Sequence, residues 1–234
     1  MTVDRPEPPD IAPERQMLDG GTDRWHGRGL SRDPARAALP GCYQWIMRLF
    51  VAVALPAAAA GELDSAVAPL RLAWPELRWT GRGAWHLTLA FLGEVDEQVT
   101  GELADGLAGA ATRQRQLSLA LGGAGAFPVA DRARVLWTGI QGDLMGLADL
   151  ADAVETGAKE AGVPPTSGGR RYEPHLTLAR CRAPADVRTL VATLAGFAGT
   201  AWTAGEIHLI RSRLQERPRY ETLGSWSLAT AEPG

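Results

Sequence analysis

The sequence lacks the features that membrane or exported proteins, disulfide-linked proteins and strongly basic nucleic-acid coat proteins require. No run approaches the roughly 18 apolar residues of a membrane helix, and no apolar stretch near the start resembles a signal peptide. The two cysteines, Cys42 and Cys181, form no CxxC motif and argue against a disulfide framework. Positive charge is not in excess, since 24 basic and 27 acidic residues give a formal net charge of −3. These absences favour a cytoplasmic protein without a membrane partner and exclude a strongly basic nucleic-acid coat protein. A short RNA end still fits, because it needs only local positive charge.

Residues 1–46 differ in composition from the rest of the chain. They hold six of the 16 prolines, seven acidic residues and six arginines, and they show no hydrophobic periodicity. Such a segment buries too little apolar area to offset the entropy that it would lose on ordering. We therefore predict a flexible or disordered N-terminal extension over 1–46 and a folded domain over 47–230.

From residue 47 onward, strand and helix patterns alternate along the chain. The strand patterns are short and amphipathic, which favours antiparallel α+β lobes with helices outside over a parallel doubly wound sheet. The strand over 116–121 is predicted to break at the glycine-rich segment 122–128, and because 122–125 lacks the Lys-Ser/Thr of a phosphate-binding loop we predict a turn there. Strands are predicted over 47–55, 77–80, 86–92, 116–121, 134–140, 206–214 and 220–228, with one more beginning at residue 175. Helices are predicted over 57–74, 96–112, 143–162 and 186–194.

The pentapeptide His-Leu-Thr-Leu-Ala occurs twice, at residues 86–90 and 175–179, and two of the four histidines open these copies. Side chains alternate along a strand, so each copy has His, Thr and Ala on one face and two Leu on the other. An imidazole pKa near 6.5 lets two histidines serve as acid and base on either side of a phosphorus. A lone histidine is usually structural, but exact duplication favours function. It also predicts two similar lobes, one for each motif.

The chain resembles the two-histidine (2H) phosphoesterases, and among them the RNA 2′,3′-cyclic phosphodiesterases, also called 2′-5′ RNA ligase-like proteins. Their signature is a duplicated His-x-Thr-hydrophobic, which stands here as HLTLAFLG at 86–93 and PHLTLAR at 174–180. The resemblance covers residues 47–228 and includes RLFVA at 48–52, GAFP at 125–128, RVLW at 134–137, LIRSRL at 209–214 and YE at 220–221. It implies a bilobal α+β 2H phosphoesterase fold with two pseudo-symmetric antiparallel-sheet lobes, helices outside and a central groove.

The resemblance also implies metal-independent hydrolysis of a ribose 2′,3′-cyclic phosphate, on RNA 3′ ends or small cyclic nucleotides, to a 2′-phosphomonoester. By position, His175 is the proton acceptor and His86 the proton donor, while Thr88 and Thr177 bind the phosphate. Arg180 matches a family arginine that meets the phosphate or stacks on the terminal base, although strict alternation puts it on the face opposite His175. No cofactor and no metal are expected, because the two histidines have no third ligand at a suitable spacing. A monomer is the default expectation.

Several alternatives stay open at this point. The same groove could process another cyclic phosphate or a nucleotide-derived metabolite, or join RNA ends through a 2′-5′ linkage, although abundant water disfavours that reverse reaction. An RNA-end binding protein without turnover is a further alternative, but binding alone would not require an acid–base pair. Glu173 shares the face of His175, where it either orients the imidazole or is solvated. Phe50 and Phe91 are expected in the core, and His208, outside any repeat, is expected to be structural.

Overall fold

A computed structural model describes residues 46–166, 168, 171–213 and 220–230. The predicted extension over 1–46 lies, except for Ile46, outside the described residues. The strands are β1 (Ile46–Ala54), β2 (Arg78–Trp79), β3 (His86–Asp96), β4 (Leu117–Phe127), β5 (Ala133–Gly142), β6 (His175–Ala185), β7 (Trp202–Ala204), β8 (Glu206–Ser212) and β9 (Tyr220–Ser227). The α-helices are α1 (Ala57–Ala73), α2 (Thr100–Thr112), α3 (Leu144–Glu160) and α4 (Arg188–Leu194).

The strands form two antiparallel sheets, each containing one motif strand. The first lobe is a four-stranded sheet in the order β3-β1-β8-β9, and the second is a five-stranded sheet in the order β2-β6-β5-β4-β7. Without β2, the two orders correspond strand for strand, with the motif strands β3 and β6 in equivalent places. The predicted α+β architecture with one motif in each lobe is therefore confirmed. No helix of the described residues is long and apolar enough to span a membrane.

Each lobe is completed by a strand from the other half of the chain. The order β1-α1-β3-α2-β4, with the short β2 inserted before β3, is followed by β5-α3-β6-α4-β8, with the short β7 inserted before β8. In these two copies β1 pairs with β3 and β5 with β6, but β4 joins the second sheet beside β5 and β8 joins the first sheet beside β1. This exchange ties the two lobes together.

The helices α2 and α3, one from each copy, touch through two glycines. A Cβ atom on Gly106 would lie 2.5 Å from the carbonyl oxygen of Gly157, and a Cβ on Gly157 would lie 2.6 Å from the carbonyl oxygen of Gly106. Real Cβ atoms do not approach a carbonyl oxygen so closely. Two glycines therefore let these helix backbones pack directly against each other, over a core formed largely by leucines.

Two strands run further than the sequence predicts. The predicted end of β3 at Gly93 is wrong, because Gly93 adopts φ +73°, which glycine tolerates, and the strand continues to Asp96. The predicted break of the strand at 122–128, with a turn over 122–125, is also wrong, since β4 extends to Phe127. Gly125 lies directly against the Trp137 ring, where any side chain would collide with the indole. Here the glycines make room for neighbours rather than end a strand.

Candidate active site

Both motif strands carry a β-bulge at the same position of the motif. The pairing of β3 with β1 skips Leu89, and the pairing of β6 with β5 skips Leu178. A bulge sets two residues against one and shifts the alternation of side chains by one place. As a result Leu89 and Ala90 are both buried, and so are Leu178 and Ala179.

The bulges turn Phe91 and Arg180 to the faces that carry the histidines. Strict alternation predicts Phe91 in the core and Arg180 opposite His175, and both predictions are wrong for this one reason. Phe91 is 53% exposed, and Arg180 is exposed as well. The positive charge of Arg180 contributes to lowering the pKa of His86, so the second lobe acts electrostatically on the histidine of the first.

His175 is oriented by the backbone just before its strand. Its Nδ1 atom lies 2.7 Å from the carbonyl oxygen of Glu173, and a carbonyl only accepts, so Nδ1 donates. The neutral ring then keeps an unprotonated Nε2, which is what a general base requires. The ring packs edge-on against Phe127 at 4.9 Å between centroids and lies 6.3 Å from the Trp137 ring. Glu173 thus orients the imidazole through its carbonyl group.

His86 occupies a matching environment at the start of β3. Its ring centroid lies 4.6 Å from that of Phe50 and 5.2 Å from that of Tyr220, which meets it edge-on. Burial lowers the pKa of His86 to about 4; a hydrogen bond with the backbone of Ala84 opposes this shift, and the charge of Arg180 adds to it. At pH 7 the imidazole is therefore neutral. The negative charge of a phosphate would raise its pKa again.

Thr88 and Thr177 lie two residues after the histidines and before the bulges, so they keep the faces that the sequence predicts. Both are half-buried. The hydroxyl of Tyr172, just upstream of the second motif, donates a 3.0 Å hydrogen bond to the backbone carbonyl of Thr88 in the first lobe. Burial raises the pKa of Tyr172, which keeps this hydroxyl protonated as a donor.

Each motif strand is also bound by the segment that precedes the other motif. The N–H of Thr80, which follows β2, donates to the carbonyl of Leu178 at 2.8 Å. In the opposite direction, the N–H of Thr166 donates to the carbonyl of Phe91, also at 2.8 Å. These reciprocal hydrogen bonds hold β3 and β6 beside each other. The two predicted catalytic strands are thus brought together across the lobes.

The aromatic residues that contact the histidine rings were not among the site residues predicted from the sequence. Each lies outside the His-x-Thr motifs but inside another segment that carries the family resemblance. These segments are RLFVA, YE, GAFP and RVLW. The segments shared with the family were therefore the available signal, because hydrophobic periodicity does not distinguish an aromatic residue beside a site from one in the core. These residues are Phe50 and Tyr220 around His86, and Phe127 and Trp137 around His175.

Acidification should destabilise the fold through His86. Its folded pKa of about 4 lies below the ordinary 6.5, so its contribution to stability is complete above pH 6.5 and is lost as the pH falls towards 4. The shift corresponds to about 3 kcal/mol. Urea unfolding at pH 7, 5.5 and 4 measures this effect. We expect His86→Gln to lose about 3 kcal/mol less than the wild type between pH 7 and pH 4; equal losses would show that His86 is not buried in its neutral form.

Metal ligands are not clustered in the part of the chain that the structure describes. No group of three or more His, Cys, Asp or Glu side chains there is placed to hold a metal ion. The expectation of metal-independent chemistry stays a prediction, which treatment with a chelator tests.

Comparisons with known proteins identify the family of this chain. The model of the LigT-like phosphoesterases matches residues 53–137 and 143–220, and each matched stretch contains one motif. The chain belongs to this family. A relative from Aeropyrum pernix, named RNA 2′,3′-cyclic phosphodiesterase, is 34% identical over 59% of this chain and 79% of its own length. A protein of the same name from Thermus thermophilus is 33% identical over 78% of this chain and 90% of its own.

The LigT-like fold is also evident in solved structures. Escherichia coli LigT in its apo form matches with a TM-score of 0.64 and 28% identity, over 79% of this chain and 98% of that one. The same protein complexed with 3′-AMP matches with a TM-score of 0.63 and 27% identity, over 79% and 99% of the two chains. The predicted bilobal 2H phosphoesterase fold is confirmed.

Proposed function

We propose that this protein hydrolyses a ribose 2′,3′-cyclic phosphate to a 2′-phosphomonoester with His86 and His175 as its acid–base pair. The equivalence of the two histidines carries the proposal. Each opens a copy of the same pentapeptide, bonds its ring to the backbone two residues upstream and packs against two aromatic rings. Relatives named RNA 2′,3′-cyclic phosphodiesterase support the substrate class, and the complex of LigT with 3′-AMP supports a nucleotide in the groove.

In this reaction, Nε2 of His175 takes a proton from the water that attacks phosphorus from the second-lobe side. The bond from phosphorus to the 3′ oxygen breaks on the opposite side, and His86 donates a proton to that oxygen. The phosphate remains on the 2′ oxygen. The hydroxyls of Thr88 and Thr177 donate to the non-bridging oxygens, and the charge of Arg180 balances the phosphate. Among the described residues, Arg180 forms no salt bridge that would compete with this role.

The low pKa of His86 fits an acid that becomes protonated only with its substrate. In the free protein the buried imidazole is neutral, and the anionic phosphate favours its protonated form by charge attraction. Binding would then take up a proton from solvent. A neutral imidazole can also act as a base, so a separate experiment has to test which histidine donates and which accepts a proton.

Composition and the family support a proposal on the substrate, the compartment and the oligomeric state. We propose RNA 3′ ends or small cyclic nucleotides as substrates of a cytoplasmic monomer that uses neither metal nor cofactor. The scarcity of cysteine supports a reducing compartment. The domain over 47–230 would carry the activity, with the segment 1–46 dispensable for it.

Turnover in a chelator tests the proposed function. Protein treated with EDTA should open the cyclic phosphate of an RNA oligonucleotide or a 2′,3′-cyclic mononucleotide, giving a monoester from which alkaline phosphatase releases inorganic phosphate. RNA of the same sequence with a 3′-hydroxyl end is the control and should stay intact. Inactivity that zinc restores would contradict the two-histidine mechanism. Tight binding without turnover would instead favour an RNA-end binding protein.

A further inference from the structure

An RNA chain has to leave the proposed site on the side of His86. Under the proposed function, on which this step rests, His86 protonates the leaving 3′ oxygen. In ribose, the carbon that bears this oxygen is bonded to C4′, which carries C5′ and, in RNA, the linkage to the preceding nucleotide. The carbon that bears the 2′ oxygen is bonded instead to C1′, which carries the base. The nucleotide that precedes the terminal one therefore lies beyond His86.

A cavity begins one strand away from His86. Ala54 of β1 pairs with His86, and residues opposed in this way share a face of the sheet, with their Cα atoms about 5 Å apart. Ala54 is exposed on that face, whereas its neighbour Val53 is buried in the core. The cavity that opens beside Ala54 has a volume of about 660 Å³, a size typical of sites for small molecules. It lies on the side by which the RNA chain leaves.

The lining of this cavity suits an uncharged heterocycle better than a phosphate. Its apolar part is formed by Ala54, Leu55, Pro56 and Trp202. Among the described residues that line it, none is a lysine or an arginine, and the single carboxylate, that of Glu206, would repel a phosphate. A nucleobase has two flat π faces and carries hydrogen-bonding groups on its edge. An apolar cavity with one polar group therefore matches a base.

Glu206 is the group that can contact the edge of such a base. Its side chain is 55% exposed, and Oε1 lies 3.6 Å from Nε2 of His208. The imidazole of His208 is held by the Ser225 hydroxyl, 2.8 Å from Nδ1, and is 12% exposed, so it forms the wall behind the carboxylate. A carboxylate accepts hydrogen bonds and donates none. Guanine presents adjacent N–H donors on one edge, whereas uracil presents one N–H between two carbonyl oxygens. Glu206 therefore favours guanine over uracil.

We propose that this cavity binds the nucleobase that precedes the terminal nucleotide of an RNA, and that Glu206 selects guanine there. The site thereby distinguishes RNA ends from small cyclic nucleotides, which leave the cavity empty. A hydrogen bond to a charged group contributes about 1.5–3 kcal/mol, which corresponds to about 10- to 150-fold in affinity.

Three substrates that share a terminal nucleotide test this cavity. They are 2′,3′-cyclic AMP and the dinucleotides GpA and UpA, both ending in a 2′,3′-cyclic phosphate. For the wild type, we expect the KM of GpA to lie about 10- to 150-fold below that of cyclic AMP, with a similar kcat. The KM of UpA should be at least about tenfold above that of GpA.

Two variants assign these differences to the cavity. Thr203→Trp places an indole in the cavity and should raise the KM of GpA to that of cyclic AMP. Glu206→Gln should bring GpA and UpA to a similar KM, because an amide both donates and accepts. The KM of cyclic AMP, which does not reach the cavity, should be the same in all proteins. Thr156→Trp, at an exposed threonine of α3, is the matched control and should change none of these values.

The outcomes separate this proposal from the function on which it rests. Equal KM values of GpA and cyclic AMP in the wild type, or a KM of GpA that Thr203→Trp leaves unchanged, would overturn the cavity as a base site. Binding of GpA with a terminal 2′-phosphate, the product, gives a readout that does not need turnover. Tighter binding of this product than of 2′-AMP, lost in Thr203→Trp and without turnover of any cyclic phosphate, would support the cavity while contradicting the hydrolytic function. Equal binding of the two products would overturn the cavity.

Discussion

Replacing either motif histidine should remove nearly all turnover of a 2′,3′-cyclic nucleotide. We expect His86→Gln and His175→Gln each to lower kcat/KM by about 10²–10⁴-fold, the typical contribution of one positioned proton transfer. Glutamine carries an amide N–H that can still donate to the backbone carbonyl before each strand, so the fold should persist. Steady-state rates, with circular dichroism to verify folding, measure the effect.

The double variant and a third histidine provide the controls. Because the two proton transfers serve one displacement, the double variant should lose less than the product of the two single losses. His208 lies on β8 and its Nδ1 is 2.8 Å from the Ser225 hydroxyl, away from the two motifs in sequence. His208→Gln should keep wild-type activity. Activity close to wild type in either His86→Gln or His175→Gln would show that the pair is not the acid–base machinery.

A better leaving group should separate the roles of the two histidines. 4-Nitrophenolate can leave the phosphorus without being protonated, whereas a ribose 3′ oxygen has to be protonated as it leaves. On a 3′-deoxynucleoside 2′-(4-nitrophenyl phosphate), we expect His86→Gln to lose less than about tenfold, because the acid is no longer needed. His175→Gln should keep its full loss of about 10²–10⁴-fold, because water still has to be activated. The absorbance of 4-nitrophenolate gives both rates.

The pKa of His86 makes this comparison informative. A neutral imidazole with a pKa of about 4 has the protonation state of a base at pH 7, so its role as acid depends on the bound phosphate. If His175→Gln proved to be the tolerated variant, the two roles would be exchanged. If both variants lost activity equally on the nitrophenyl ester, neither histidine would act as the acid.

Local signals predict the helices and the motif strands well. Helix α3, predicted over 143–162, runs from Leu144 to Glu160, and the carboxylate of Asp143 accepts the N–H of Gly146 at 2.9 Å at its start. The exchange of β4 and β8 between the lobes could not be predicted in this way. Strand pairing depends on partners that are far away in the chain. The local sequences of β4 and β8 do not indicate which sheet each strand joins.

The bulges explain why part of the site was predicted wrongly. Leu89 and Ala90 are both apolar, so the hydrophobic pattern of the sequence does not show whether the alternation of side chains shifts between them. Only the pairing with β1 shows the extra residue. The histidines and threonines precede the bulge and keep their predicted faces, whereas Phe91 and Arg180 follow it and change sides. The duplication thus predicts the chemistry of the site, whereas the asymmetry between its two halves appears only in three dimensions.

The identity of the product tests the central claim most directly. A 2′,3′-cyclic nucleotide incubated with the EDTA-treated protein can be followed by ³¹P nuclear magnetic resonance, beside His86→Gln and His175→Gln. The two-histidine mechanism predicts a single 2′-phosphomonoester resonance from the wild type and almost none from either variant. A 3′-phosphomonoester, or the same product formed at the wild-type rate by either variant, would contradict it.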